Sequence, residues 1–337
     1  MDLDHSRLDE DFDKVVPIND NLLSNVRAGQ YTRESVRVVV DIKSFKTYKI
    51  FSLRNPFRIF IDVWGIATAS STPPPTNKRS IKDSSKISPS ALAKQLALGV
   101  SRIVIDPGHG GRDYGAPGYY KGVHEKKVAL ALAKKLARKI RAELSCEVIL
   151  TRQTDKYLTL EERTAIANTK SADLFISIHT NSAKDRRAFG LETFFLNLAT
   201  DNESIRVAAF ENATSEKNIS DLQTILTDLM QNAKINESSR LAAHVQGELF
   251  QHLKKSYNKI KNKGVKQAPF YVLLGAQMPA ILIETSFISN PRECKRLTDS
   301  HYQDRICEGI VKGIREYIKE TNPTALLKNA PHAKAKG

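Results

Sequence analysis

Cysteine is scarce in this sequence: Cys146, Cys294 and Cys307 are the only three among 337 residues. An odd set cannot pair completely, and buried free thiols are expected in preference to a disulfide framework. Long apolar runs are absent as well, and no stretch approaches the roughly 20 residues that a membrane-spanning helix requires. Aromatic residues amount to 7% with a single Trp. They are not interleaved with basic residues as on RNA- or DNA-binding surfaces, so nucleic acid is not an expected partner. The start of the chain carries no signal-peptide pattern, which leaves either a cytosolic protein or one whose export signal is missing from this numbering. Acidic residues are outnumbered, 37 against 52 Lys and Arg, for a formal charge of +15. Such an excess suits a polyanion, whether nucleic acid or an anionic cell-wall polymer, and the lack of an aromatic-basic pattern favours the second.

The apolar fraction of 41% supports a real core, and the length allows two domains. Residues 1 to about 30 are mixed and acidic at the start, so a frayed terminus and then a first strand are expected. Val36-Arg-Val-Val-Val-Asp-Ile42, Thr47-Tyr-Lys-Ile-Phe51 and Arg58-Ile-Phe-Ile-Asp-Val-Trp64 read as strands, with a turn at Asn55-Pro56. Strands at this spacing with no helix between them predict a small all-β sandwich over residues 1–65. Residues 66–98 contain Ser70-Ser-Thr-Pro-Pro-Pro-Thr76 and a Lys/Ser-rich run from Lys78 to Ser90. That composition cannot build a core and reads as a flexible linker.

Beyond it the pattern changes. Ile103-Val-Ile reads as a buried strand running into the loop Asp106-Pro-Gly-His109-Gly-Gly-Arg-Asp113. Val128, Leu132, Leu136 and Ile140 recur on one face of a helix from Glu125 to about Leu144. Glu147–Thr151 is the next strand, Leu160 to Asn168 a helix, and Asp173–Ile178 a buried strand ending at His179. Gly190–Leu196 is a further strand, and residues 201–235 read as a helical, polar insertion. Asn236 is expected to cap a helix reaching about Ser256. Phe270–Leu274 and Ala280–Ile283 read as strands, the second ending at Glu284, and a helix from Tyr302 to Lys319 closes the domain. Residues 321–337 are a basic tail expected to be disordered. The alternation predicts an α/β domain over residues 99–320, a mainly parallel sheet flanked by helices on both faces.

In a parallel sheet, ligands gather at the carboxyl ends of strands. His109 and His179 each follow an apolar strand, and Glu125 opens the helix after the first loop. Two imidazoles and a carboxylate match a catalytic zinc site whose fourth position holds water. Glu284, at another strand end, suits a carboxylate that takes a proton from that water and passes it to a leaving nitrogen. The plan is one of metal-assisted amide hydrolysis. Single histidines at strand ends are more often structural, and the spacing is no compact motif of the H-E-x-x-H kind; the joint placement is what points to chemistry. Arg152, Asp155 and Arg163 read as a structural polar network, and Asp106 as a tie for the loop. Asn181 orients a ligand or touches substrate. His244, Glu248 and His252 share one helix face and read as exposed polar surface, while His124 is a bystander. A phosphate-binding reading of Gly108-His-Gly-Gly111 is weak because no GK[ST] follows.

The wider pattern resembles a known family. Val104-Ile-Asp-Pro-Gly-His-Gly-Gly-Arg-Asp113, Gly115-Ala116, Glu125-Lys126, Leu150-Thr-Arg152 with Asp155, Leu160 and Arg163, Ser177-Ile-His-Thr-Asn181, and Ile283-Glu-Thr-Ser-Phe-Ile-Ser-Asn290 together resemble the zinc-dependent N-acetylmuramoyl-L-alanine amidases of the amidase-3 family. The resemblance implies zinc held by His109, Glu125 and His179, Glu284 as the catalytic carboxylate, and peptidoglycan as substrate. Thr180-Asn181 stands where many relatives have Ala-Asp or Ala-Asn. Arg37-Val-Val-Val-Asp41 with Tyr48–Asp62 resembles the AMIN domain, which helps target such enzymes within the bacterial envelope, and this implies a periplasmic location and a role in daughter-cell separation. The insertion at 201–235 resembles the autoinhibitory helix of envelope amidases, in which a glutamate fills the open zinc position until an activator with a LytM-like domain draws it away. Glu211 is the first candidate, with Glu203 and Glu216 as alternatives, and Ile219, Leu222, Ile225, Leu226, Leu229 and Met230 either dock the activator or pack on the parent domain. A zinc carboxypeptidase and a non-enzymatic wall-binding protein remain as competing readings.

Overall fold

The computed structural model describes residues 1–9, 15–17, 23–43, 47–53, 58–64, 99–216, 219 and 233–321. The chain divides into two compact units, Met1–Lys86 and Ile87–Gly337. The expected linker at 66–98 and the tail from 322 onward lie outside the described residues.

The first unit is all-β. Strands β1 (Asp2–Asp4), β2 (Val15–Pro17), β3 (Leu23–Thr32) and β4 (Ser35–Ile42) form an antiparallel sheet in the order β1-β4-β3-β2. Strands β5 (Thr47–Leu53) and β6 (Arg58–Trp64) make a separate antiparallel pair. The terminus is not frayed as expected. Asp2 pairs with Arg37 in the ladder, their side chains meet at 2.7 Å, and the Met1 amino group donates to the Val38 carbonyl. The pairing of Asp2 with Arg37 marks a register that hydrophobic patterning could not reveal.

The second unit is a six-stranded sheet in the order β11-β10-β12-β9-β7-β8. Its strands are β7 (Arg102–Pro107), β8 (Glu147–Leu150), β9 (Leu174–Asn181), β10 (Leu191–Leu196), β11 (Asn262–Ala268) and β12 (Ala280–Phe287). As expected the sheet is mainly parallel; the one antiparallel pairing is that of β10 with β12, so β10 and β11 run together against the other four strands. Side chains alternate across it. Ile103, Ile105, Ile176, Ile178, Ile281 and Ile283 face one core, shared with the stripes of helices α1 (Glu125–Leu144), α4 (Ala233–Lys254) and α7 (Ser300–Thr321). Val104, Phe175 and Leu282 face the other. That face is covered by α2 (Leu160–Thr169), α3 (Asn202–Glu211) and α5 (Tyr271–Leu274); α6 (Pro291–Leu297) follows β12. Burial on both faces is why the central strands read as unbroken apolar runs. No helix among the described residues is long and apolar enough to cross a membrane, and all three cysteines are buried and free.

Further sequence expectations for the second unit need correction. Phe270–Leu274 is not a strand: Phe270 precedes the short helix α5, whose Val272 and Leu273 are buried in the second core. The strand there is the polar Asn262–Ala268, which sits at the sheet edge and pairs on one side only, so it needs little apolar character. Helix α4 begins by Ala233, before Asn236, because Ile235 already packs in the core and Lys234 donates to the Ala276 carbonyl. The face bearing His244, Glu248 and His252 is not exposed surface. It lies against α7, with His252 between Glu308 at 3.0 Å and Lys312 at 2.9 Å, and His244 paired with Glu320.

Helices α4 and α7 approach so closely that a Cβ on Gly313 would lie 2.4 Å from the Val245 Cα, and one on Gly309 2.8 Å from the Leu249 Cα. In an open helix Gly→Ala gains about 1 kcal/mol; overpacking here is expected to reverse the sign. Gly313→Ala should lower stability by about 2 kcal/mol, seen as a reduced urea midpoint; an unchanged or raised midpoint would contradict this packing.

Candidate metal centre

The loop after β7 is held from beneath by two buried guanidiniums. Arg163 donates to the Asp106 carboxylate at 2.9 Å and to the carbonyls of Pro107 at 2.8 Å, His109 at 2.9 Å and Leu158 at 3.1 Å. Arg152 donates to the carbonyls of Pro107, Gly108, Thr154 and Lys126. Asp106 also accepts from Thr151 and Ser177. Burial disfavours its charge, but Arg163, the Thr151 hydroxyl and the charge of His179 outweigh it and hold the carboxyl below its usual range. Asp155 accepts from the Gly111 amide and Lys126. The network expected of Arg152, Asp155, Arg163 and Asp106 is therefore present, and its task is clear. His109 has φ of +59°, a left-handed conformation that is strained for a residue with a Cβ. The captured carbonyls fix that conformation.

Glycine then lets groups crowd together. A Cβ on Gly108 would lie 2.3 Å from the His179 ring, and one on Gly115 would meet both the His109 ring and the Glu125 carboxylate within 2.7 Å. Into this space the loop after β7, the sheet and two helices deliver four donors. Glu125, fully buried at the first turn of α1, accepts from the amides of Ala116 at 2.8 Å and Thr180 at 2.9 Å. Its oxygens lie 3.1 Å from His109 Nε2 and 3.1 Å from His179 Nδ1. Glu211, at the last residue of α3, sits 2.8 Å from His179 Nδ1 and 3.3 Å from His109 Nε2. The donor atoms of these four residues all lie within 4.8 Å of one another.

Two observations bear on whether a metal fits. His109 Nε2 is buried and makes no hydrogen bond, although carboxylate oxygens surround it. Donors placed about 2.0–2.1 Å from one tetrahedral centre stand about 3.3 Å from each other, which is close to the separations seen. The other nitrogen of His109, Nδ1, meets Asp113 at 2.8 Å, and Asp113 in turn accepts from the Gly115 amide. A carboxylate behind a ligating imidazole fixes its tautomer and orientation. Electrostatics agree. Burial disfavours charge on both histidines, yet Glu125 and Glu211 override it; His109 is held well above its usual range and His179 is pushed up to about 10. The carboxylates thus demand positive charge at this point, and two imidazoles with two carboxylates are a fitting donor set for a divalent metal.

Glu284 lies beside this group. In register it neighbours His179 on β9 and Glu192 on β10. It is fully buried, and neither carboxylate oxygen has a hydrogen-bond partner. Burial, reinforced by the charge of Glu211, raises its pKa well above the usual carboxylate value. β9 and β12 continue past their expected ends, so His179 and Glu284 are within strands, not after them.

Of the other candidates, Asn181 donates to Glu192 at 3.0 Å. Glu203 binds Lys263 and Lys266, and Glu216 is exposed. His124 packs its ring against Tyr114, apart from the four donors. Ile219 is buried in the second core, while Leu222, Ile225, Leu226, Leu229 and Met230 lie outside the described residues. Sequence reading missed Asp113 and the buried Glu192. The latter carried a signal, a lone carboxylate in the apolar strand Leu191–Leu196.

A family model described as N-acetylmuramoyl-L-alanine amidase matches residues 103–316. The chain is 30% identical over 325 residues to N-acetylmuramoyl-L-alanine amidase AmiC of Escherichia coli O6:H1, covering 90% of this chain and 76% of that one. It is 31% identical over 342 residues to AmiC of Neisseria meningitidis serogroup B, covering 93% and 78%. Among solved structures, the N-acetylmuramoyl-L-alanine amidase from Clostridium difficile 630 aligns with a TM-score of 0.51 at 32% identity, over 65% of this chain and 97% of that one.

Removing the carboxylate behind His109 should loosen metal without unfolding the loop. Asp113→Ala is expected to weaken binding of an added divalent metal about 10–100-fold in a chelator competition; unchanged affinity would show that Asp113 does not orient a ligand.

Proposed function

The chain belongs to the amidase-3 family of N-acetylmuramoyl-L-alanine amidases, and on that premise we propose that it cleaves the amide between N-acetylmuramic acid and L-alanine with zinc held by His109, Glu125 and His179 and Glu284 as proton carrier. The observation that carries this reading is the meeting of those three donors next to a buried carboxylate without hydrogen bonds. Zinc held by these side chains supplies Lewis acidity for the scissile carbonyl and lowers the pKa of the attacking water toward neutrality. The protein supplies the rest. Glu125, anchored by the Ala116 and Thr180 amides, keeps its two oxygens divided between the histidines. Asp113 keeps His109 Nε2 turned inward. Glu284 takes the proton from the water and returns it to the departing alanine nitrogen. Its raised pKa suits both halves of that transfer, because a general base that must later act as an acid works best when its pKa approaches the operating pH.

Glu211 makes this form of the enzyme autoinhibited. Its carboxylate stands among the same donors, 2.8 Å from His179 Nδ1, where it would compete with the attacking water for the metal. The helix that carries it is fastened along its length. Asp201 caps its first turn, Arg206 donates to the Ser182 carbonyl, and Asn212 just beyond the helix bonds Pro269 and Tyr271. Val207, Ala208 and Ala209 are buried in the second core. Displacing α3 therefore breaks several contacts together, which accounts for a need for an activating partner, one with a LytM-like domain. The N-terminal all-β unit would serve as the AMIN-like targeting module of an exported, periplasmic enzyme that separates daughter cells.

Two variants test the reading on purified peptidoglycan, with mass spectrometry of the released products. Glu284→Gln should bind zinc normally and release stem peptides beginning with L-alanine at least about 100-fold more slowly; full activity would remove Glu284 from the mechanism. Glu211→Ala should raise basal, chelator-sensitive hydrolysis about tenfold or more, as expected for removing a competing ligand of a few kcal/mol. Equal activity of the folded variant and the wild type would exclude Glu211 as the inhibitory group.

A further inference from the structure

We infer that Lys263 and Lys266 form a slot for a free carboxylate of the stem peptide, a slot that Glu203 fills in the closed enzyme. The two lysines project from edge strand β11 and stand between two carboxylates. On the inner side is Glu192, fully buried, with its oxygens 3.5 Å from Lys263 and 2.9 Å from Lys266. On the outer side is Glu203 of α3, which gives one oxygen to each lysine, 2.9 Å in the case of Lys266. Asp201 adds a weaker contact to Lys266 at 3.9 Å. The lysine side chains are only 13% and 14% exposed, whereas that of Glu203 is 39% exposed.

The inner and outer carboxylates are thus not equivalent. Glu192 is fixed in the sheet by Asn181 and neutralises one ammonium permanently. Glu203 arrives on the same helix that brings Glu211 to the metal donors, about 12 Å farther along the axis. When α3 leaves, both acids leave with it. One surplus positive charge then remains, carried by two ammoniums already spaced to receive the two oxygens of one carboxylate. The slot belongs to the same end of the sheet as the chemistry, because Glu192 is the ladder partner of Glu284. A stem peptide whose first amide lies at the metal centre carries free carboxylates on its leaving side, and such a group is the ligand the slot fits. Helix α3 would then block the enzyme at two points at once, one by occupying the metal position and one by occupying the substrate's anchor.

This inference rests on the amidase reading, and the experiment separates the two. The double variant Glu203→Ala/Glu211→Ala is assayed for KM and kcat on three muropeptides: one with all stem carboxylates free, one amidated at the internal carboxylate, and one amidated at the C-terminal carboxylate. The slot predicts a KM at least tenfold higher for whichever amidated form has lost the recognised carboxylate, with little change in kcat. Adding Lys266→Met should abolish the difference by raising the KM of the free-acid form. Cleavage of all three with equal KM overturns the slot and leaves the amidase intact. Cleavage of none overturns the amidase reading and the slot with it. Because the substrate comparison is made with both lysines in place, a folding defect in Lys266→Met would leave the test standing.

Discussion

The buried ion pair between Asp106 and Arg163, with Arg152 beside it, is the constraint on which the rest of the second unit's chemistry depends. Burying an ion pair gains little stability by itself, since desolvation offsets most of the attraction. Here the pair does something else. Its guanidinium has further donors, and they collect the carbonyls of Pro107 and His109, while Arg152 takes those of Pro107 and Gly108. The backbone at His109 is thereby held in a left-handed conformation that no local preference would choose. Without it the imidazole would not face Glu125 and His179. The hydroxyls of Thr151 and Ser177 on the neighbouring strands complete the shell of Asp106, so the loop's shape is referenced directly to the sheet.

A second constraint is electrostatic. Glu125, Glu192, Glu211 and Glu284 are buried carboxylates, and each is answered differently. Glu125 receives two backbone amides and two imidazoles. Glu192 receives Asn181 and two lysines. Glu211 depends on the histidines, whose charge overcomes the effect of its burial. Glu284 receives no hydrogen bond, and burial with the charge of Glu211 outweighs His179 and raises its pKa. The gradation from fully compensated to uncompensated parallels the division of labour proposed for them: fixed ligand, fixed anchor, removable blocker and proton carrier. Environment, more than residue type, separates the four roles.

Much of this was legible in the sequence because the central strands are buried on both faces. Their apolar runs mark β7, β9 and β12, and the polar residues interrupting those runs at His109, His179 and Glu284 had to share one sheet edge. The amphipathic stripe of α1 placed Glu125 at a helix start. What escaped notice lay where burial is one-sided or where partners are remote. The edge strand β11 is polar because it pairs on one side, and the apolar Phe270–Leu274 filled the core as a short helix instead. The start of α4 is set by tertiary packing of Ile235, which overrides the capping signal of Asn236. Asp113 behind His109, and Lys263 and Lys266 against Glu192, act through contacts across the fold that no local pattern encodes.

Glu211 is proposed to occupy a position at the metal that must be vacant for catalysis. That position is tested most directly by loading the centre with cobalt(II) and following the visible spectrum of the full-length protein during titration with azide. The account predicts that the wild-type spectrum resists azide, whereas Glu211→Ala responds with a saturable shift as the anion takes the vacated position. A wild type that binds azide as readily as the variant would mean that the position is open already, and that Glu211 does not close the centre.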